Sequence, residues 1–357
     1  DRHSILRTAF YWQELEKPYQ VVYGQVELPW EEQDWRHLDP DTQRDRLDAF
    51  LIDDRQKGFD LSQAPLMRLA LFRLADDAYH LVWSSHHLLL DGWSESLVFK
   101  EVYGFYEAFC QGKELCLSQP RPFRDYIAWL QQQDLGKAEA FWRQLLKGFT
   151  TPTRLPVDRQ SHNLPSQEED YDWQRIDLSE ATTTALQALA RQHQLTLNTM
   201  VQGAWALLLS RYSGESDVVF GVTSSGRPTD LAGVESMVGI FVNTLPLRIQ
   251  IPPDATLLPW LQQILALQIE VLQYEYSPLV QVQAWSDVPR GLPLFETCQV
   301  LENYPVDATV KNGVEGFDIQ NPRSFEKTNE PLRLLAVPDD ALRLELWYDT
   351  HRFDRST

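Results

Sequence analysis

The chain has 357 residues, 43% of them hydrophobic, with 32 basic against 51 acidic side chains and a formal net charge of -19. That length and apolar content allow a well-buried core and point to a globular protein of two domains or lobes. The acidic balance, with no run of Lys and Arg, excludes a nucleic-acid surface and an acidic-lipid anchor, because both need clustered cations to release counterions. Cys110, Cys116 and Cys298 have no ligand-like spacing, so no metal site is expected, and such sparse cysteine usage fits a reduced, cytoplasmic setting. No apolar run approaches the roughly 20 residues that span a bilayer, and no signal-peptide pattern opens the chain. The opening "DRHSILRTAF" and the closing "LWYDTHRFDRST" both read as interrupted elements, so a segment of a longer polypeptide is expected.

In chain order, Tyr19 to Leu28 is strand-like, and Thr42 to Gly58 carries a helical period closed by glycine. Pro65 to Leu74 and Ala78 to His87 read as two strands joined by a turn at Asp76 and Asp77. After Gly92, Trp93, Leu97, Val98, Val102, Tyr106 and Phe109 fall on one helical face, and a further helix, "KAEAFWRQLLKG", ends at Gly148. Residues Phe149 to Asp170 are polar and carry Pro152, Pro156 and Pro165, the composition of a linker between lobes 1–148 and 171–357. The second lobe repeats the mixed pattern. Helices fit Glu180 to Gln194, Leu197 to Gly214 and Leu258 to Glu275; strands fit Ser216 to Ser225, Gly239 to Ile251, Leu294 to Tyr304 and Leu342 to Asp349. A polar stretch from Ala308 to Pro331 is long enough for a functional crossover. The fold class is α/β (α+β), and the similar grammar of the halves suggests an internal duplication.

The stretch "SSHHLLLDGWS", Ser84 to Ser94, carries the chemistry. On a strand, period-two alternation sends His86 and His87 to opposite faces, so the pair does not converge on one metal ion. His87, at the strand end, is the candidate working imidazole. Asp91 has two readings: a helix N-cap or Asx-turn acceptor, or a buried carboxylate that an arginine must neutralise. Gly92 supplies a conformation or clearance that a Cβ forbids.

These motifs resemble those of the condensation domains of nonribosomal peptide synthetases, in the chloramphenicol acetyltransferase-like superfamily. "RHSILRTAF" (Arg2 to Phe10), "HHLLLDGWS" (His86 to Ser94), "FRDYIAWL" (Phe123 to Leu130), "SGRP" (Ser225 to Pro228), "VGIFVNTLPLR" (Val238 to Arg248) and "LFETCQVLENYP" (Leu294 to Pro305) follow in the family's order. The family's first motif and its last helices are absent. Both histidines and the Asp-Gly pair are intact, unlike cyclization domains and inactive recruitment domains.

The resemblance implies two chloramphenicol acetyltransferase-like lobes arranged as a V-shaped pseudo-dimer with a central tunnel. It further implies that a donor acyl or peptidyl thioester and an acceptor aminoacyl thioester, each on a peptidyl carrier protein, form an amide at His87. The domain itself binds no cofactor; the substrates ride on 4'-phosphopantetheine, and an adenylation domain is a neighbour. His87 serves as general base or as an acceptor that positions the amine, imidazole having an ordinary pKa of about 6.5. Positioning alone can contribute roughly 7 to 11 kcal/mol, more than general-base catalysis typically does. Asp91 is assigned to structure, with Arg227, Arg248 and Arg211 as candidate partners. Within the catalytic set His87, His86, Asp91 and Gly92, Gly92 is placed to offer its amide to an oxyanion, and His86 to pack or hydrogen-bond behind the loop. Trp93, Ser94, Asn243 and Thr244 are candidates for the tunnel wall, and Arg2, His3 and Arg7 for lobe stability. The alternatives are an epimerization or dual condensation/epimerization domain, a stand-alone coenzyme A-dependent acyltransferase, and a non-catalytic carrier-recruitment module.

Overall fold

The computed structural model describes residues 1–155, 171–303 and 330–356. Most of the expected linker, the end of "LFETCQVLENYP" and nearly all of the polar stretch from Ala308 lie outside the described residues.

The elements run β1 (Thr8–Tyr11), β2 (Tyr19–Val22), β3 (Trp30–Asp34), α1 (Pro40–Lys57), β4 (Met67–Arg73), β5 (Tyr79–Ser85), α2 (Gly92–Cys110), α3 (Arg124–Leu130) and α4 (Leu135–Leu145). They continue with β6 (Tyr171–Asp177), α5 (Glu180–Gln192), α6 (Leu197–Ser213), β7 (Asp217–Ser224), β8 (Asn243–Gln250), α7 (Leu257–Leu272), α8 (Leu279–Trp285), β9 (Thr297–Leu301), β10 (Leu332–Val337) and β11 (Arg343–Asp349). Start signals are local. Asp39 caps α1 through the amides of Asp41 and Thr42, Asp91 caps α2 through that of Ser94, and Ser179 and Thr196 cap α5 and α6.

Two compact units result. The first comprises Asp1–Gln131 together with Arg227–Phe241; the second comprises Gln132–Gly226 and the described residues from Val242 onward. The division falls upstream of the expected break at 148. Helix α4 belongs to the second unit because its fully buried Trp142 donates its indole N–H to Ser277 there, at 2.9 Å.

In the first unit, β3, β4 and β5 form a sheet in that order, with β3 parallel and β5 antiparallel to β4, and β1 and β2 make a separate antiparallel ribbon. Its main core gathers Ile5, Leu66, Leu89, Leu90, Val98, Phe123 and Tyr126 with Leu231, Val234, Met237, Val238 and Phe241 of the returning segment. The three leucines after the histidines thus divide their work: Leu89 and Leu90 are buried, while Leu88 is half-buried. The expected apolar stripe of α2 is buried only toward its start. Val98 is inside, whereas Val102, Tyr106 and Phe109 are exposed among the described residues.

In the second unit, six strands are ordered β6-β11-β10-β9-β7-β8, with parallel pairs β10/β9 and β7/β9. Trp142, Trp205, Phe220, Leu245 and Ile264 are among its core residues. The expected strand from Gly239 begins only at Asn243. The reason is that the Gly239 carbonyl and the Phe241 amide bond to side chains of the first unit instead of to a sheet neighbour.

Candidate active site

Strand β5 ends at Ser85, so His86 and His87 stand in the following turn, not on the strand as expected. The amide of His86 donates to the Leu66 carbonyl at 2.9 Å, and the Leu88 amide donates to His86 Nδ1 at 3.1 Å. A nitrogen that accepts from an amide is unprotonated, so the His86 proton sits on Nε2. Burial, and then the neighbouring His87, hold the His86 pKa below its ordinary value. The His87 ring does the opposite with its Nδ1, which lies 2.7 Å from the Leu90 carbonyl. A carbonyl only accepts, so His87 Nδ1 carries a proton, and in the neutral ring Nε2 is the nitrogen that keeps a lone pair. His87 is exposed, so this lone pair is held in orientation and open to a reactant.

Asp91 is 5% exposed and surrounded by donors. Its Oδ1 accepts from the Ser94 amide at 2.8 Å and from Arg227 Nη2 at 3.3 Å, and its Oδ2 accepts from the Phe241 amide at 2.9 Å. It is therefore both helix cap and ion-pair partner, so the two readings of Asp91 describe one residue. Of the three candidate arginines, Arg227 is the one that meets it. Arg248 instead pairs with Asp217, and Arg211 is exposed on the last turn of α6.

Arg227 is buried and spends its guanidinium on this region. Nη1 donates to the carbonyls of Val234 (2.6 Å) and Met237 (3.0 Å), and Nη2 also donates to Ser94 Oγ at 2.8 Å. The guanidinium carbon lies 3.9 Å from the Phe241 ring centroid and 5.1 Å from that of Trp93. Burial pushes its pKa down, and Asp91 opposes that shift. Gly226, at φ 60°, turns the chain immediately before it in a conformation that L side chains rarely adopt.

Ser94 corrects an expectation. With 0% exposure it lines no substrate path; its hydroxyl donates to the Gly239 carbonyl at 2.7 Å and accepts from the Gly239 amide at 3.1 Å and from Arg227. Trp93 is half-buried, and its indole N–H is committed to the Glu235 carbonyl at 3.0 Å. Gly92 is the first residue of α2, where a backbone amide lacks an intrahelical acceptor and the helix end favours negative charge. Asn243 and Thr244 belong to the second unit. There the Asn243 amide donates to the carbonyls of Glu275 (2.7 Å) and Ser277 (2.8 Å), and Thr244 stands half-buried opposite Thr223. His3 is buried with Nε2 2.6 Å from Glu101, and Arg2 pairs with the same carboxylate at 2.8 Å; Arg7 bonds the Tyr23 carbonyl.

Sequence reasoning missed Gly239 and the backbone of Phe241. A Cβ on Gly239 would lie 2.1 Å from Phe123, so only glycine lets this segment seat against Phe123 and hand its peptide groups to Asp91 and Ser94. Both residues stand inside "VGIFVNTLPLR", where the glycine was the available signal. Among the described residues no cluster of His, Cys, Asp and Glu could hold a metal ion.

A mixed α/β fold of two units, with a paired-histidine turn beside a buried carboxylate, fits the class of domains that the sequence resembles. The family profile described as "Condensation domain" matches residues 1–357, and the chain belongs to that family. It is 47% identical to a linear gramicidin synthase polypeptide of Brevibacillus parabrevis, over 99% of this chain and 7% of that protein. It is 34% identical to surfactin synthase subunit 3 of Bacillus subtilis, over 100% of this chain and 28% of that protein. The chain thus spans a small part of these relatives. Among solved structures, the starter condensation domain of rhizomide synthetase superposes with a TM-score of 0.80 at 21% identity, over 99% of this chain and 78% of that one. The X-domain from teicoplanin biosynthesis gives 0.80 at 23% identity, over 99% of this chain and 80% of that one. At such identities the structures establish the fold alone, and it is that of condensation domains.

Proposed function

We propose that the chain forms an amide bond between a donor acyl or peptidyl thioester and the α-amine of an acceptor aminoacyl thioester, with His87 as the residue that receives the amine. The observation that carries this reading is the exposed His87, whose Nδ1–H is given to the Leu90 carbonyl, so that in the neutral ring Nε2 is the acceptor. The free amine is mostly ammonium at neutral pH, its pKa being about 7.7 to 8.0; that proton must be gone before the nitrogen can attack, and a second leaves the neutral amine as the amide forms. An Nε2 lone pair of fixed direction can orient the N–H and take that proton. The amine nitrogen bonds to the thioester carbonyl carbon, the C–S bond breaks, and the thiol leaves with the proton. Gly92, at the start of α2, is the amide suited to the developing oxyanion. Asp91 and Arg227 act on structure, keeping the turn and the helix start in register.

On this reading the partners are an upstream and a downstream peptidyl carrier protein presenting substrates on 4'-phosphopantetheine, with an adenylation domain nearby, in the cytoplasm. Among the described residues no helix is long and apolar enough to cross a membrane. The test is to load donor and acceptor carriers chemically, add the protein, and follow acceptor mass. A peptide on the acceptor supports condensation. Inversion of the donor α-carbon without transfer would make it an epimerization domain, transfer from coenzyme A alone a free-standing type of acyltransferase, and carrier binding without chemistry a recruitment module.

A further inference from the structure

The His86 ring has a second neighbour that the proposed chemistry does not use. Phe59, just after α1, meets it edge to face, with centroids 6.3 Å apart and planes at 84°. Phe59 is held in turn by Arg68 of β4, whose guanidinium carbon lies 4.3 Å from the ring centroid. Arg68 is anchored by the Asp54 carboxylate and carbonyl and by the Gly58 carbonyl at 2.8 Å, so it fastens the end of α1 to the sheet. Ser84, paired with Arg68 across β4 and β5 and two residues before His86, donates its hydroxyl to the other Asp54 oxygen. Burial works against ionisation of Asp54, yet Arg68 and Ser84 together hold its carboxyl below the usual range, so the anchor stays charged.

We propose that Phe59, pinned by Arg68 and Asp54, is a positioning residue that keeps His86 neutral, so that His86 Nδ1 accepts the Leu88 amide and fixes the turn carrying His87. The argument rests on hydrogen-bond capacity. Imidazolium has two donors and no acceptor, so a protonated His86 faces the Leu88 N–H with an N–H of its own and the turn loses that closure. Phe59 packs against the core that includes Leu66 and Leu89, and covering His86 disfavours its charged form. The ionisable group beside His86 is His87, whose positive charge would add to the same effect; Arg68 faces the Phe59 ring, and Asp54 is held by Arg68 and Ser84. The role rests on His87 acting as proposed, but its direct readout does not.

The test compares Phe59→Ala and Phe59→Leu with the natural sequence in the whole chain. Hydrogen–deuterium exchange at imidazole C2, read by fragment-ion mass spectrometry that separates His86 from His87, gives the His86 titration. It should rise toward the ordinary imidazole value in Phe59→Ala and return toward its starting point in Phe59→Leu. With an imidazole pKa of about 6.5, roughly a quarter of His86 is neutral at pH 6 and nearly all at pH 8. Peptide formation by Phe59→Ala should therefore fall further at pH 6 than at pH 8 relative to the natural chain, by up to roughly fourfold, the limit set by a natural His86 that is wholly neutral at pH 6. In a His86→Asn background, whose side-chain oxygen accepts without titrating, that extra acid loss should vanish. An unmoved His86 titration, or a loss equal at both pH values, overturns the proposal. A shifted titration in a protein that makes no peptide under any condition would leave the positioning role standing and remove the catalytic reading of His87.

Discussion

The two histidines use the same ring atom in opposite senses. His87 gives its Nδ1 proton to the Leu90 carbonyl, and His86 offers its Nδ1 lone pair to the Leu88 amide. Replacing His87 by Ala removes the acceptor and the bond to the Leu90 carbonyl but leaves Leu89 and Leu90 buried, so the expected outcome is loss of peptide formation in a folded protein, with about 1 kcal/mol of stability lost. Full activity in the folded variant would remove His87 from the mechanism. Asp91 differs because the groups bonded to its carboxylate are donors: the amides of Ser94 and Phe241 and Nη2 of Arg227. Removing one partner of a buried pair leaves the other uncompensated, at a cost of about 3 to 5 kcal/mol. Asp91→Ala should therefore lower stability by that order in denaturant titration. Asp91→Asn should do little better, since its NH₂ must face one of those donors. A stable, inactive Asp91→Ala would instead make the carboxylate a participant in the chemistry.

At the level of elements, the segment Arg227–Phe241 decides the geometry of the site, and it was the part least legible in sequence. "HHLLLDG" announced a working imidazole, and the need for a partner to a buried aspartate followed from charge burial alone. Which arginine answered did not follow, because Arg227, Arg248 and Arg211 are equivalent until the chain is folded. The other holds on Asp91 and Ser94 are peptide groups of Gly239 and Phe241, and a backbone amide carries no signature of its residue type. The helical period of "KAEAFWRQLLKG" likewise gave a helix but not the unit it joins, which Trp142 settles by packing and by its bond to Ser277. The strand expected through His87 failed for a local reason: the Leu88 amide turns back onto the His86 side chain. Because Gly239 accepts no Cβ beside Phe123, Gly239→Ala should unseat the segment, costing about 1 to 3 kcal/mol as overpacking does. It should impair catalysis by the same displacement of Asp91. Gly24→Ala, where nothing lies within 4 Å of the added methyl, is the control. Equal stability and activity for the two variants would show that the contact with Phe123 does not matter.

Over the whole molecule, neither unit is a simple stretch of sequence: the first is completed by residues from beyond position 226, and the second surrounds them in the chain. Stability is therefore best followed by a probe that belongs to one unit only, and the cysteines supply it. Cys110 and Cys116 are exposed, whereas Cys298 is 3% exposed in the middle of the six-stranded sheet, paired with Arg333 of β10 and Gly221 of β7. Burial pushes its thiol pKa far up, with Glu330 adding to the shift and Arg333 opposing it. Only the thiolate reacts, so both access and ionisation protect Cys298 in the folded state. An alkylating reagent at pH 8 should label Cys110 and Cys116 promptly in the native protein and reach Cys298 only through opening of the sheet, at a rate set by the opening free energy. A Cβ on Gly221 would stand 2.5 Å from the Phe295 ring, so Gly221→Ala should destabilise the strand next to Cys298. For every 1.4 kcal/mol or so of lost stability, Cys298 labelling should accelerate about tenfold, with Cys110 and Cys116 unchanged. Prompt native labelling of Cys298, or acceleration of all three thiols alike in Gly221→Ala, would contradict a sheet that buries Cys298 and opens as a unit.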